Sequence, residues 1–160
     1  MCVVKFQQCA FGIIMSDHTT LTTSEIAFIE RQRVARLATA DEDGNPHVIP
    51  VCYACDGARF YTPLDEKPKR VAGMQLRRVR NITARPQVAL VIDHYDDDDW
   101  SRLSYVLVQG RAELLPSDHA LHAHAVALLR ARYSQYLAMA LEDSPVIMIT
   151  PEHLTAWGSL

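Results

Sequence analysis

The stretch Val34-Ala35-Arg36-Leu37-Ala38-Thr39-Ala40-Asp41-Glu42-Asp43-Gly44-Asn45-Pro46-His47-Val48-Ile49-Pro50-Val51-Cys52-Tyr53-Ala54 decides how the chain folds. Val34 to Ala40 reads as a strand. Asp41 to Asn45 is turn chemistry, with Gly44 placed to take a positive φ. His47 to Ala54 reads as a second strand, since Val48, Ile49 and Val51 favour extended backbone. Asp56-Gly57 then closes a further hairpin onto Arg59 to Thr62. Strands joined by turns this short pair antiparallel.

Upstream, Thr22-x-x-Glu25 is a capping box, and Ile26, Phe28 and Ile29 give the helix behind it an apolar side. Downstream, Pro63 to Pro68 is a loop. Lys69 to Ala84 has helical spacing through Val71, Met74, Val79 and Ile82, and Pro86 ends it. Gln87 to His94 is a strand, and the acidic loop Asp96 to Asp99 leads to a long strand from Leu103 to about Leu115. Ser117 is placed to cap a helix running to about Leu141, with Leu121, Ala125, Leu128 and Leu129 at helical spacing. Val146 to Thr150 is the last strand. The expected fold class is mainly β with helices (α+β): six antiparallel strands in a closed or split barrel with helices outside. Helices do not alternate with strands, which excludes a doubly wound parallel sheet.

Residues 1–20 are expected to be a flexible N-terminal extension and residues 21–160 a single domain. Met15, followed by Ser16-Asp17-His18-Thr19, is a second candidate start. Of the 160 residues 49% are hydrophobic and 22% charged, a globular balance that excludes a disordered or fibrous chain. The net charge of −3 gives no argument for nucleic acid as a partner. No apolar run approaches the ~18–20 residues of a membrane span. Four cysteines (Cys2, Cys9, Cys52, Cys55) are too few for a disulfide scaffold, and no secretion signal is recognisable, so the expected location is cytoplasmic.

The sharpest chemical feature is basic. Lys67, Lys69, Arg70, Arg77, Arg78 and Arg80 cluster in an acidic chain, at a loop and along a helix. Converging donors of this kind suit phosphate, whereas a solvated helix face is the plainer reading. Arg130 lies outside the cluster and reads as an idle helix arginine. Cys52-x-x-Cys55 lacks a second ligand pair, and on a strand its side chains point to opposite faces, so no metal site is expected. His119, His122 and His124 read as exposed helix residues, the first two placed to modulate the helix start. Asp96 to Asp99 lacks the Gly and terminal Glu of a calcium loop and reads as a solvated turn.

Ala35 to Leu115 resembles the pyridoxamine-5′-phosphate-oxidase-like split-barrel family. The matching pieces are Leu37-Ala38-Thr39-Ala40, Gly44-Asn45-Pro46-His47-Val48-Ile49-Pro50-Val51, Phe60-Tyr61-Thr62, Leu76-Arg77-Arg78-Val79-Arg80-Asn81-Ile82 and Pro86-Gln87-Val88-Ala89-Leu90-Val91. Lys67-Pro68-Lys69-Arg70, Asp93-His94-Tyr95 and Asp99-Trp100-Ser101-Arg102-Leu103 resemble its F-420-dependent branch. Ile149-Thr150-Pro151-Glu152 to Trp157 resembles the family's C-terminal end.

The resemblance implies a six-stranded FMN-binding-type split barrel, a homodimer with cofactor sites at its interface, and a phosphate-bearing cofactor: the deazaflavin F-420, with FMN as the alternative. It implies that the cofactor ring rests against Val51, Cys52 and Tyr53, and that Tyr61 and Thr62 contact it. Arg77 and Arg78 fall at the paired phosphate ligands, with Lys67 and Lys69 as additions. Trp100, Tyr105 and Trp157 would reach the site from the partner chain. The implied function is hydride transfer to or from an unsaturated small molecule, or cofactor carriage without turnover. No C-terminal Arg-containing segment for pyridoxal phosphate is present, which speaks against vitamin B6 oxidation.

Overall fold

The computed structural model describes residues 16–64 and 75–160. Its strands are β1 (Ser16–His18), β2 (Ala35–Ala40), β3 (Pro46–Val51), β4 (Ala54–Cys55), β5 (Phe60–Pro63), β6 (Gln87–His94), β7 (Ser104–Leu115) and β8 (Val146–Gly158). The helices are α1 (Thr23–Arg31), α2 (Arg77–Ala84) and α3 (His122–Arg132).

All pairings are antiparallel, in the order β3-β2-β6-β7-β8-β5-β4, with β1 added on β8. Strands β3 and β4 follow one another in the chain yet stand at opposite ends of that order. The sheet is therefore curled, and Cys52-Tyr53 carries the chain across its open seam. This is the split barrel the sequence implied.

Local chemistry explains the main elements. Thr22 Oγ1 accepts the Glu25 N–H at 3.3 Å, and Glu25 Oε2 accepts the Thr22 N–H at 2.8 Å, so the capping box starts α1. In the β2–β3 turn Gly44 takes φ +87°, and the Asp41 carboxylate accepts from the Asn45 N–H at 2.8 Å. The interior core joins Leu37, Phe60, Leu90, Ile92, Val106, Val108, Ile147 and Ile149 from the sheet to Phe28 and Ile29 of α1 and to Val79 and Ile82 of α2. A second core lies between β5, β8 and α3, around Tyr61, Met148, Val126 and Leu129.

Four expectations change. The six strands become eight, because the expected His47–Ala54 strand breaks into β3 and β4 at the seam, and because Ser16–His18 pairs with β8 inside the stretch 1–20 expected to be flexible. The helix after Ser117 is shorter: Leu121 is its N-cap, the His119 ring accepts the Leu121 N–H at 3.1 Å, and extended backbone at Tyr133 stops it. Two 3-10 turns follow, Ser134–Ala138 and Leu141–Asp143. Arg130 is not idle there, since it donates to the Tyr136 and Met139 carbonyls and pairs with Glu142. Finally, β8 continues past Pro151 to Gly158. A bulge opposite Gln109/Gly110 absorbs the proline, and Gly110 permits an approach so close that a Cβ there would lie 2.1 Å from the Thr150 oxygen. Among the described residues no helix is long and apolar enough to cross a membrane.

Candidate functional site: a cationic corner at the start of helix α2

Helix α2 begins at Leu76, which makes no side-chain cap hydrogen bond, and no acid stands in its first turn. Arg77 and Arg78 stand there instead. Cations at the positive end of a helix dipole are unfavourable by roughly 0.3–1 kcal/mol each. A bound anion reverses that penalty and takes up leading N–H groups as well.

The neighbouring hairpin fixes this corner. Asn81 Nδ2 donates to Thr39 Oγ1 at 2.9 Å, which in turn lies 3.4 Å from the His47 carbonyl, so α2 is pinned on β2 and β3. Arg77 is 48% exposed and pairs with Asp41 at 3.4 Å across the turn. Arg78 is only 9% exposed. His47 adjoins both: burial first, then the charges of Arg77 and Arg78, hold its imidazole below the usual histidine range. Its buried Nδ1 has no hydrogen-bond partner among the described residues. A neutral imidazole with an open nitrogen beside two guanidinium groups suits an acceptor-rich anion.

The other expected residues are distributed differently. Lys67 and Lys69 lie outside the described residues. Val51 is 7% exposed in the interior core, and Cys52 packs half-buried against the α3 core. Tyr53 is buried, and its hydroxyl donates to the Ile29 carbonyl at 2.6 Å or the Gln32 carbonyl at 3.0 Å. Burial, ahead of every other influence, raises its pKa well above the usual phenol range. The side chains of Val51 and Tyr53 are thus committed to packing rather than turned to a ligand; what β3 presents outward is Val48, 58% exposed, with Pro46 and Pro50.

Tyr61 is fully buried beneath α3, and its hydroxyl donates to Asp56 at 2.8 Å. Burial and that carboxylate push it up to about 12. Thr62 is buried as well. Both side chains are packed in the core: α3 lies over the face of β5 that carries Tyr61, and Thr62 turns to the opposite, interior face with Phe60. Tyr105 and Trp157 do come together: they face each other on β7 and β8, with ring centroids 5.8 Å apart and planes 19° apart. Trp100 is 70% exposed in the 3-10 turn Trp100–Arg102.

Among the described residues neither Cys52 nor Cys55 forms a disulfide, and the two pack on different cores. Buried His122 lies 2.9 Å from the Ser144 carbonyl, while exposed His124 rests against Tyr61. Asp96 accepts from the Asp98 and Asp99 N–H groups, so the acidic loop is a self-bonded turn. No group of three metal-ligating residues exists among the described residues. Sequence reasoning missed His47, Thr39 and Asn81 as members of the corner. The absence of any acid or cap before two arginines was the available signal.

A curled antiparallel sheet of this strand order defines a split-barrel protein. The chain belongs to the pyridoxamine 5′-phosphate oxidase family, whose profile matches residues 22–158. Over 96 residues it is 29% identical to a 5a,11a-dehydrotetracycline/5a,11a-dehydrooxytetracycline reductase of Streptomyces rimosus, a match covering 60% of this chain and 65% of that relative. A solved F-420 reductase superposes with a TM-score of 0.61 at 25% identity, covering 84% of this chain and 98% of that one. A FAD-binding protein from Mesorhizobium loti superposes with a TM-score of 0.60 at 26% identity, over 89% and 96% of the two chains.

Proposed function

We propose that the protein is an oxidoreductase that binds F-420 and transfers hydride to or from an unsaturated small molecule. The observation that carries this reading is the placement of Arg77 and Arg78, against the dipole of α2 and beside the open nitrogen of His47. The family supports an oxidoreductase, the F-420 reductase supports the deazaflavin, and the S. rimosus relative supports reduction as the direction. The FAD-binding neighbour keeps FMN as the second reading.

When bound, the cofactor supplies the hydride chemistry. Arg78, Arg77, the His47 Nδ1–H and the first N–H groups of α2 hold its phosphate. The outer face of β3 offers apolar surface to a ring, and Tyr105 and Trp157 of the partner subunit would cover that ring and exclude water. The expected homodimer is part of the proposal, and so is a cytoplasmic location, which suits the free thiols of Cys52 and Cys55.

The test is the absorbance spectrum of protein purified from its native host, followed by turnover with dehydrotetracycline and reduced F-420. A deazaflavin spectrum with turnover supports the proposal. A flavin spectrum moves the cofactor to FMN. Bound cofactor with no turnover on any acceptor makes the protein a carrier.

A further inference from the structure

A second cationic pocket lies at the opposite end of the barrel, where β6 finishes and β7 begins. Phe28, Arg31, Gln32, His94, Arg102, Ser104 and Ser159 line a cavity of about 430 Å³. His94 pairs with Ser104 at that end of the β6–β7 ladder, and Gln87 with Arg111 at the α2 end. Seven residues of strand separate the two, roughly 23 Å at ~3.3 Å per residue. This pocket is therefore distinct from the corner at α2.

Its construction is specific. Gly158 takes φ +88° and approaches Leu103 so closely that a Cβ would lie 2.1 Å from the Leu103 oxygen. That approach delivers Ser159 beside Ser104. The Trp100–Arg102 turn is capped by Asp99, whose carboxylate accepts the Ser101 N–H at 3.0 Å, and it brings Arg102 to the rim. From α1, Arg31 reaches over the Phe28 ring, 5.8 Å from its centroid.

The polar groups face one way. Among the described residues no carboxylate side chain lines the cavity. Arg102 lies 3.4 Å from Asp96 and from Asp99, and among the described residues Arg31 and His94 make no ion pair. Ser104 is 4% exposed, yet among the described residues its hydroxyl donates only to the Arg102 carbonyl at 3.5 Å, the outer limit of a hydrogen bond. A buried hydroxyl held this weakly calls for another acceptor.

We propose that this pocket binds a small organic carboxylate. The Arg31 guanidinium fork matches the flat two-oxygen group, Arg102 adds positive charge at the rim while it stays paired with Asp96 and Asp99, Ser104 supplies the inner donor, and Phe28 gives an apolar floor to the body of the molecule. The proposal needs no bound cofactor, so it stands or falls separately from the proposed function.

The test is a titration of the ¹⁵N-labelled full chain, free of cofactor, with sodium benzoate at constant ionic strength. Saturable amide shifts confined to Arg31, His94, Arg102 to Ser104 and Ser159 are expected. Arg31→Gln and Ser104→Ala should each weaken binding about tenfold, the effect of losing one charge-assisted contact. Each variant's fold is checked by its own spectrum. Absence of saturation, shifts centred on Arg77 and Arg78, or unchanged affinity in both variants overturns the site. Tighter binding of inorganic phosphate than of benzoate overturns the carboxylate assignment.

Discussion

The hydroxyl of Tyr133 takes the place of a neighbouring strand at Tyr53: it accepts the Tyr53 N–H at 3.0 Å and lies 2.9 Å from the Tyr53 carbonyl. Tyr53 sits at the seam between β3 and β4, where no ladder partner exists for its backbone. The same hydroxyl lies 2.9 Å from the Arg33 carbonyl and accepts from Arg132 Nε at 3.2 Å. Arg132 also lies over the Tyr53 ring, 4.8 Å from its centroid, and donates to the Ile29 carbonyl at 3.0 Å. The seam, the end of α1 and the end of α3 are thus tied at one point.

Tyr133→Phe should therefore destabilise the protein by about 1–3 kcal/mol, the cost of leaving buried polar groups unsatisfied. Urea unfolding measures it. A change below about 0.5 kcal/mol, the range of ordinary surface substitutions, would show that water replaces the hydroxyl.

The acid limb of stability should depend on Glu25. Burial raises its pKa, but the Thr22 N–H, His18 and the Thr22 hydroxyl together outweigh burial and hold it below the usual glutamate range. His18 Nε2 lies 2.9 Å from the carboxylate. A depressed folded pKa contributes stability that is present above the unfolded value and is lost as pH falls through the folded one. Stability should thus decline as pH falls below the ordinary Glu value of about 4.3, and Glu25→Gln should flatten that decline while lowering stability at neutral pH. Parallel urea midpoints from pH 3 to 7 decide it; equal acid slopes would remove Glu25 from the account.

Much of this architecture was legible, because local chemistry and the global fold agree at Thr22, Gly44, Asp56-Gly57 and along β6. The seam was not: nothing in Val51-Cys52-Tyr53-Ala54 announces a break, which depends on Tyr133 eighty residues away. Nor was the length of β8, because Pro151 reads as a stop unless the bulge at Gly110 is known. At the corner, the arginines stood out by charge. His47 did not, because a histidine on a strand acquires meaning only from what packs over it. The burial of Tyr61 was hidden for the same reason, since the cover is α3, distant in the chain.

Dimerisation should use the outer face of β3, β2, β6, β7 and β8. Register places Val48, Ala38, Ala89 and Gln109 in one row and Pro50, Arg36, Val91, Leu107 and Thr155 in the next, with Tyr105–Trp157 beyond. Such a face, apolar and small along its centre, is the kind a two-fold contact covers. Light scattering should give twice the 18.0 kDa chain mass, and Val48→Asp should reduce the apparent mass toward one chain. A wild-type monomer at micromolar concentration would end the dimer proposal.

Phosphate anchoring should divide unequally between the two arginines of α2. Arg77 is half-exposed and shares its charge with Asp41, whereas Arg78 is buried against His47. A hydrogen bond to a charged group contributes about 1.5–3 kcal/mol, so losing Arg78 should weaken binding roughly 10- to 100-fold. Arg77→Ala should cost less, since solvent and Asp41 already screen it. In the cofactor-free protein Arg77→Ala should leave stability nearly unchanged, because loss of an exposed ion pair is offset by relief at the helix dipole. That combination, weaker binding with unchanged folding, separates a ligand-holding arginine from a structural one. Arg130 is no control here, since it ties α3 to Tyr136, Met139 and Glu142. Fluorescence titrations with F-420 and with FMN, repeated at raised salt, read the result. Wild-type affinity should fall with salt, and less steeply in Arg78→Ala. Equal affinity of wild type, Arg77→Ala and Arg78→Ala for both cofactors would move the phosphate away from α2.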